Sequence, residues 1–257
     1  MSVNEKMTAV ADNIRDKTGG TEALTLDEMA SGVNEVYEAG KKAEYNEFWE
    51  SEGLRPDHRF KGTFWTKETF KPNKDFEIGA QGFSYHNWQG TAYDLAEHLE
   101  SLGVRMTVAS SADQELFNCA WFTRLPELNF SPCSGAFDRV FRGMTWLVTI
   151  DKIVLPDEGA VTSFNQPFNG CSRLKNVLFD GTLDKEISFS DCPLSADSVE
   201  SIARALKDFS ISGTAYSCTL TIKSASLNSL ETSGKIPPSG STWAEYIDNK
   251  KWNLTLS

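Results

Sequence analysis

The chain writes one pattern three times, and that recurrence limits what it can fold into. The clearest copy is Phe168-Asn169-Gly170-Cys171-Ser172-Arg173-Leu174-Lys175-Asn176-Val177-Leu178-Phe179. An earlier copy runs Phe141-Arg142-Gly143-Met144-Thr145-Trp146-Leu147-Val148-Thr149-Ile150. The first, Phe117-Asn118-Cys119-Ala120-Trp121-Phe122-Thr123-Arg124-Leu125, lacks the glycine. Each opens on Phe, passes a small or polar turn and ends in apolar residues spaced for a short strand. Phe117, Phe141 and Phe168 stand 24 and 27 residues apart, and Phe189 follows 21 residues on. Recurrence at this interval marks units too small to bury their own apolar face, which therefore stack on one another. Copies this few and uneven predict a short, irregular solenoid.

A chain of 257 residues has room for one to three domains. Its net charge of −11 and pI near 4.8 argue against nucleic acid as a partner, because a phosphate-binding surface needs clustered Lys and Arg. No apolar run approaches the roughly 18–20 residues that span a bilayer, so no membrane insertion is expected. The start, Met1-Ser2-Val3-Asn4-Glu5-Lys6, is polar where a signal peptide has a basic and then an apolar region. Synthesis in the cytosol is the expectation. Five cysteines (Cys119, Cys133, Cys171, Cys192 and Cys218) make an odd count with no CxxC pair. None lies at ligand spacing from His58, His86 or His98, so buried free thiols are expected and no metal or cofactor.

Taken in order, Val3, Met7, Val10 and Ile14 predict a short amphipathic helix over 3–17, broken at Gly19-Gly20. Thr25-Leu26-Asp27-Glu28 forms a capping box: the Thr hydroxyl accepts from the amide three residues on, and Glu28 reaches back. The helix that follows carries Leu26, Met29, Val33, Val36 and Ala43 at spacings suited to a narrow coiled-coil seam, weakened at Gly40. These five are the candidate oligomerisation contacts, in a bundle shared between chains, with an intrachain helical hairpin as the alternative. Residues 54–90 differ in kind, holding Phe60, Phe64, Trp65, Phe70, Phe76, Phe83, Tyr85 and Trp88 among glycines and polar residues. Such a connector either plugs rings into a neighbouring domain or offers them to a sugar.

Beyond the connector, a helix is expected over 91–102 with Gly103 as its stop, then a strand over 104–108. After the repeats come a helix over 195–208 and a strand at Cys218–Ile222. The helix Trp243–Asn249 and the strand Trp252–Leu256 close the chain. The fold class expected is α+β: an N-terminal helical, coiled-coil-like oligomerisation module followed by a short irregular leucine-rich-repeat solenoid with a helix/strand cap. The domains expected are 1–53 (helical attachment and oligomerisation), 54–90 (aromatic connector) and 91–257 (repeats with the cap).

The phrase Phe168-Asn169-Gly170-Cys171-Ser172-Arg173-Leu174-Lys175-Asn176-Val177 resembles the BspA-like leucine-rich repeats of bacterial and phage-encoded surface proteins, in which F-x-G-C-x-x-L-x-x-V makes a turn and a short strand. The match is good here, moderate at Phe141–Ile150 and poor at Phe117–Leu125. A second stretch, from Ala11-Asp12-Asn13-Ile14-Arg15-Asp16-Lys17 through Thr25-Leu26-Asp27-Glu28-Met29 to Tyr37–Trp49, resembles the N-terminal module of tail-associated and fibre proteins of phages and prophages from Gram-positive bacteria. In such proteins the N-terminal part attaches to the particle and oligomerises, while the C-terminal part points outward.

The resemblances imply a structural virion protein, a tail, baseplate or fibre component assembled in the host cytoplasm. Its expected partners are itself (a homo-oligomer, most simply a trimer), other virion structural proteins and a host-surface glycan or protein. The alternative is a bacterial cell-surface leucine-rich-repeat adhesin. Receptor contact is expected at Trp88, Trp121 and Trp146, since stacking on sugar needs an accessible ring; the same residues would serve equally as core. No enzyme is expected. Acid pairs such as Asp94/Glu97 and Asp157/Glu158 arise by chance in an acidic chain, a glycosidase pair is defined by a separation in space, and no nucleophile elbow, P-loop or dinucleotide fingerprint is present.

Overall fold

The computed structural model describes residues 70–72, 75–79, 83, 93–109, 116–117, 121–212 and 218–257. The chain divides into two units, Met1–Gly53 and Leu54–Ser257, and every described residue belongs to the second. In chain order the strands are β1 (Phe76–Ile78), β2 (Tyr93–Asp94), β3 (Met106–Val108), β4 (Phe122–Leu125), β5 (Leu128–Asn129), β6 (Gly135–Ala136) and β7 (Thr149–Val154). They continue as β8 (Val161–Ser163), β9 (Asn176–Asp180), β10 (Ile187–Ser188), β11 (Cys218–Ile222) and β12 (Trp252–Leu256). The helices are α1 (Leu95–Leu102), α2 (Ala196–Ala205), α3 (Ser224–Glu231) and α4 (Trp243–Asn249).

Every strand pairing among the described residues is parallel. Parallel neighbours cannot be joined by a tight turn, so each pair needs a connection that carries the chain back to the same end. From β4 to β7 and from β7 to β9 a segment of one repeat interval does this without a helix, whereas α1 lies within the connections from β1 to β3 and from β2 to β4, α2 between β10 and β11, and α3 with α4 between β11 and β12. The main sheet runs β2-β4-β7, with β9 on the far edge of β7. Both β4 and β5 lie along the near edge of β7, interrupted at Pro126, which has no N–H to give a ladder. Smaller sheets pair β1 with β3, β6 with β8, and β10, β11 and β12 with one another.

The expected α+β class is corrected by this arrangement. The described chain is mixed α/β, with four helices set among several small parallel sheets and no closed barrel. What was expected to be a helix/strand cap closing a solenoid is a three-stranded parallel sheet crossed by helices. The N-terminal helical module, with Leu26, Met29, Val33, Val36 and Ala43, lies outside the described residues, so no such module is shown. None of the described helices is long and apolar enough to cross a membrane.

The core explains the phenylalanine interval. Phe83, Phe117, Phe141, Phe168 and Phe189 form one column of near-parallel rings, with successive centroids 5.8, 5.7, 5.1 and 4.6 Å apart. All five are at most 3% exposed. Phe122 meets Phe83 and Phe117 edge-on, and Phe179 does the same to Phe168 and Phe189, so edges close the column where faces are unavailable. The glycine of the repeat follows from the turn below each ring. Gly143 and Gly170 have φ of +74° and +79°, and a Cβ on Gly170 would stand 3.2 Å from the Gly143 Cα. Neighbouring turns are in backbone contact there, and Gly143 N–H donates to the Asn169 carbonyl at 2.7 Å.

The cysteines bind turn to turn. Cys133, Cys171, Cys192 and Cys218 are buried free thiols that reach the carbonyls of Ala109, Phe141, Phe168 and Asp184 respectively, each 24 to 34 residues earlier. Burial also pushes the Cys192 thiol far up from its ordinary pKa, which keeps it protonated and unreactive.

The last strand of the main sheet is closed by a helix. On α2, Ser198 Oγ accepts from Val177 N–H at 2.8 Å and donates to the Lys175 carbonyl at 3.0 Å. One turn on, Ser201 Oγ accepts from Phe179 N–H at 2.8 Å. Two serines at i and i+3 share a helix face, so α2 satisfies the edge of β9 as a further strand would. At the other end, Asp94 caps α1 by accepting from Glu97 N–H, and Gly103 ends it in the left-handed conformation. His98 on that helix is buried, with Nε2 2.6 Å from the Phe70 carbonyl.

Lys250 ties the C-terminal helices together. Its Nζ donates to the carbonyls of Ala203, Arg204 and Leu206 at 3.1, 3.0 and 2.6 Å, at the end of α2, and lies over the Tyr246 ring. An ammonium has three N–H bonds for these three acceptors, yet only 8% of the residue is exposed, and burial lowers its pKa to about 8.

Two predictions follow from the packing. Phe141→Ala removes a ring stacked on both sides and leaves a cavity, and should cost about 3–5 kcal/mol, read as a lowered urea midpoint. For Lys250, the unfolded chain keeps its proton up to about pH 10.5 while the folded chain releases it near pH 8. The unfolded state therefore binds more protons across that window, so this residue makes stability rise with pH. Urea midpoints of the wild type should climb relative to those of Lys250→Met between pH 8 and 10.5, and parallel curves would contradict the assignment.

Candidate functional site

Stacking in register also aligns what lies outside the core. Arg124 pairs with Thr149 and Thr149 with Asn176. Three residues upstream of these partners stand Trp121, Trp146 and Arg173, so the three occupy equivalent places at the entries of β4, β7 and β9. The Arg173 guanidinium lies 5.2 Å from the centroid of the Trp146 ring. Trp121 is 42% exposed and Trp146 44%.

The other two described tryptophans show what a structural tryptophan looks like in this fold. Trp243 and Trp252 are 0% and 1% exposed, and their indole N–H groups donate to the carbonyls of Lys235 and Lys207. Trp121 and Trp146 have neither the burial nor a hydrogen bond of that kind. Each sits on the surface side of a turn whose phenylalanine already fills the core. The third expected receptor residue, Trp88, lies outside the described residues.

Downstream of this row the outer face carries two short rows of alternating charge. Arg124 makes a bidentate pair with Asp151, at 2.7 and 2.9 Å, and lies 3.9 Å from Asp94. Lys152 pairs with Glu127 at 2.9 Å and with Asp180 at 3.9 Å. The hydrogen bond to Asp151 raises the Arg124 pKa and that to Glu127 raises the Lys152 pKa, so both cations are held charged and engaged. They clamp neighbouring strands and leave little attraction for an outside anion. Beside them a groove of about 750 Å³ is lined by Leu99, Glu100, Arg105, Thr107, Arg124 and Asn129, among others. A second, of about 580 Å³, lies between the β8 turn (Thr162, Ser163, Gln166) and β10–β11 (Glu186, Ser188, Thr219) and mixes hydroxyls and amides with apolar and charged groups.

The acid pairs noted in the sequence are put to structural use. Asp94 is the N-cap of α1, and Glu158 pairs with Lys207 at 2.7 Å. Among the described residues no three His, Cys, Asp or Glu side chains come together as a metal site. Sequence reasoning missed Arg173 as a member of the exposed row. The signal was present, because Trp146 and Arg173 each follow their repeat phenylalanine by five residues. Comparisons with protein-family models, curated proteins and solved structures return no match, so no relative's chemistry bears on this surface.

Proposed function

We propose that the chain is a structural component of a phage or prophage particle, held through residues 1–53 and presenting its phenylalanine-stacked domain to the host surface. The observation that carries the adhesive half is the exposed pair Trp121 and Trp146, each just ahead of one of two neighbouring strands of a parallel sheet. A buried hydrogen-bonded tryptophan is packing, whereas two exposed rings fixed in one row are a surface that a partner can cover. The virion half rests on the resemblance of the stretch from Ala11 to Trp49 to particle-attachment modules. In this reading the partners are other virion proteins, further copies of the chain as a homotrimer, and a host-surface glycan or protein. The role is binding and display, with no catalysis.

Two measurements test it. Light scattering at micromolar concentration should give three times the chain mass for the full chain and the chain mass once residues 1–53 are deleted; a monomeric full chain would end the oligomer claim. Particles carrying Trp121→Ala with Trp146→Ala should assemble normally but adsorb to host cells at least tenfold more slowly. Unchanged adsorption by such particles would sink the adhesive role.

A further inference from the structure

Resting on that adhesive reading, we infer that the row formed by Trp121, Trp146 and Arg173, with Arg142 and Lys175 beside it, is a binding site for an acidic polysaccharide. The first observation is charge. In a chain of net charge −11, Arg124, Lys152, Lys185, Arg204, Lys207 and Lys235 are each within ion-pair distance of a carboxylate. Arg142, Arg173 and Lys175, like Lys71 and Arg105 elsewhere, are exposed and make no ion pair with a described residue. They are also neighbours. Arg173 lies against Trp146, Arg142 is in the turn that leads to Trp146, and Lys175 donates its backbone N–H to the Val148 carbonyl at 2.9 Å. Three exposed cations therefore belong to the turns that carry the exposed rings.

The second observation is shape. Trp121, Trp146 and Arg173 stand in the successive segments that lead into β4, β7 and β9, three paired strands of one sheet. A polysaccharide laid across the strands therefore meets Trp121, Trp146 and Arg173 in turn. The flat C–H face of a pyranose stacks on an indole, and a guanidinium takes a sugar carboxylate in a two-pronged hydrogen bond. Arg173, held over the Trp146 ring at 5.2 Å, is already ordered for this, so less side-chain entropy is lost on binding. A purely anionic ligand would leave the rings unused, and a neutral glycan would leave three unpaired cations unused. An acidic glycan uses both.

The full chain should be titrated calorimetrically with hexamers of galacturonate, of alginate and of hyaluronan, with the methyl ester of the galacturonate hexamer, and with polyphosphate. At least one uronate hexamer should bind, and where it is galacturonate the ester should bind at least tenfold more weakly. Doubling the salt should also weaken the uronate complex. Trp146→Ala and Arg173→Ala should each reduce affinity tenfold or more while thermal melts stay within a few degrees of the wild type, and Lys152→Ala should leave binding unchanged. The inference is overturned if no uronate hexamer binds, if the ester binds as well as the acid, or if polyphosphate binds as tightly and Trp146→Ala makes no difference. Should the uronates fail while Trp121→Ala with Trp146→Ala still slows adsorption, the acidic glycan falls and the adhesive reading stands.

Discussion

The column of phenylalanine rings is the contact on which the other contacts depend. No repeat of the described domain is large enough to enclose a core; each contributes one ring, which at Phe117, Phe141 and Phe168 leads into a strand, and a ring keeps solvent on its faces until a neighbour covers them. Stacking Phe83, Phe117, Phe141, Phe168 and Phe189 covers them all at once. Once the rings are stacked, the strands that follow them stand side by side in the same direction, and the parallel ladder forms with few choices of register left. The thiols of Cys171 and Cys192 then meet the carbonyls of Phe141 and Phe168, the preceding members of the column. The core therefore fixes both the stack and the order in which surface residues meet.

A stack of parallel units has two open ends, each a row of unpaired backbone groups that invites association. The C-terminal end is closed by chemistry rather than bulk. Ser198 and Ser201 offer hydroxyls that both donate and accept, so a helix face completes the bonding of β9. The chain beyond turns that helix into the first crossover of another parallel sheet, and Lys250 fixes it by taking the carbonyls at its end. Association of the domain through this edge is blocked.

How much of this was legible in the sequence depended on whether the signal was local. The strands Cys218–Ile222 and Trp252–Leu256 and the helix Trp243–Asn249 have the bounds expected for them, because alternation, caps and aromatic spacing agree there. The helix Ser224–Glu231 was not expected: Ser-Ala-Ser-Leu-Asn-Ser-Leu-Glu has weak helix propensity, its cap residue Lys223 supplies no side-chain bond, and packing of Leu227 and Leu230 decides it. Phe83 was read as part of a connector because it precedes Phe117 by 34 residues and carries no Phe-x-Gly turn. Its place in the column is a tertiary fact. The α+β expectation failed for the same reason, since strand direction is set by what each strand stacks on and leaves no mark in its composition.

The exposed row shows where periodicity stops being informative. A tryptophan inside a repeat is ordinarily core, and the sequence left Trp146 open between core and receptor contact. What decides it is volume already taken: Phe141 and Met144 fill the inside of the turn, at 3% and 0% exposure, and Trp146 is left outside. The same crowding places Arg173 beside it, because Phe168, Cys171 and Leu174 occupy the interior of the next turn. A solvent-facing tryptophan forfeits the burial that makes the residue valuable to a fold. Two of them in register, flanked by cations that form no pair on a strongly acidic protein, are therefore poorly explained by stability. The acidic glycan we propose would use all of these residues, because it brings both flat apolar faces and negative charge.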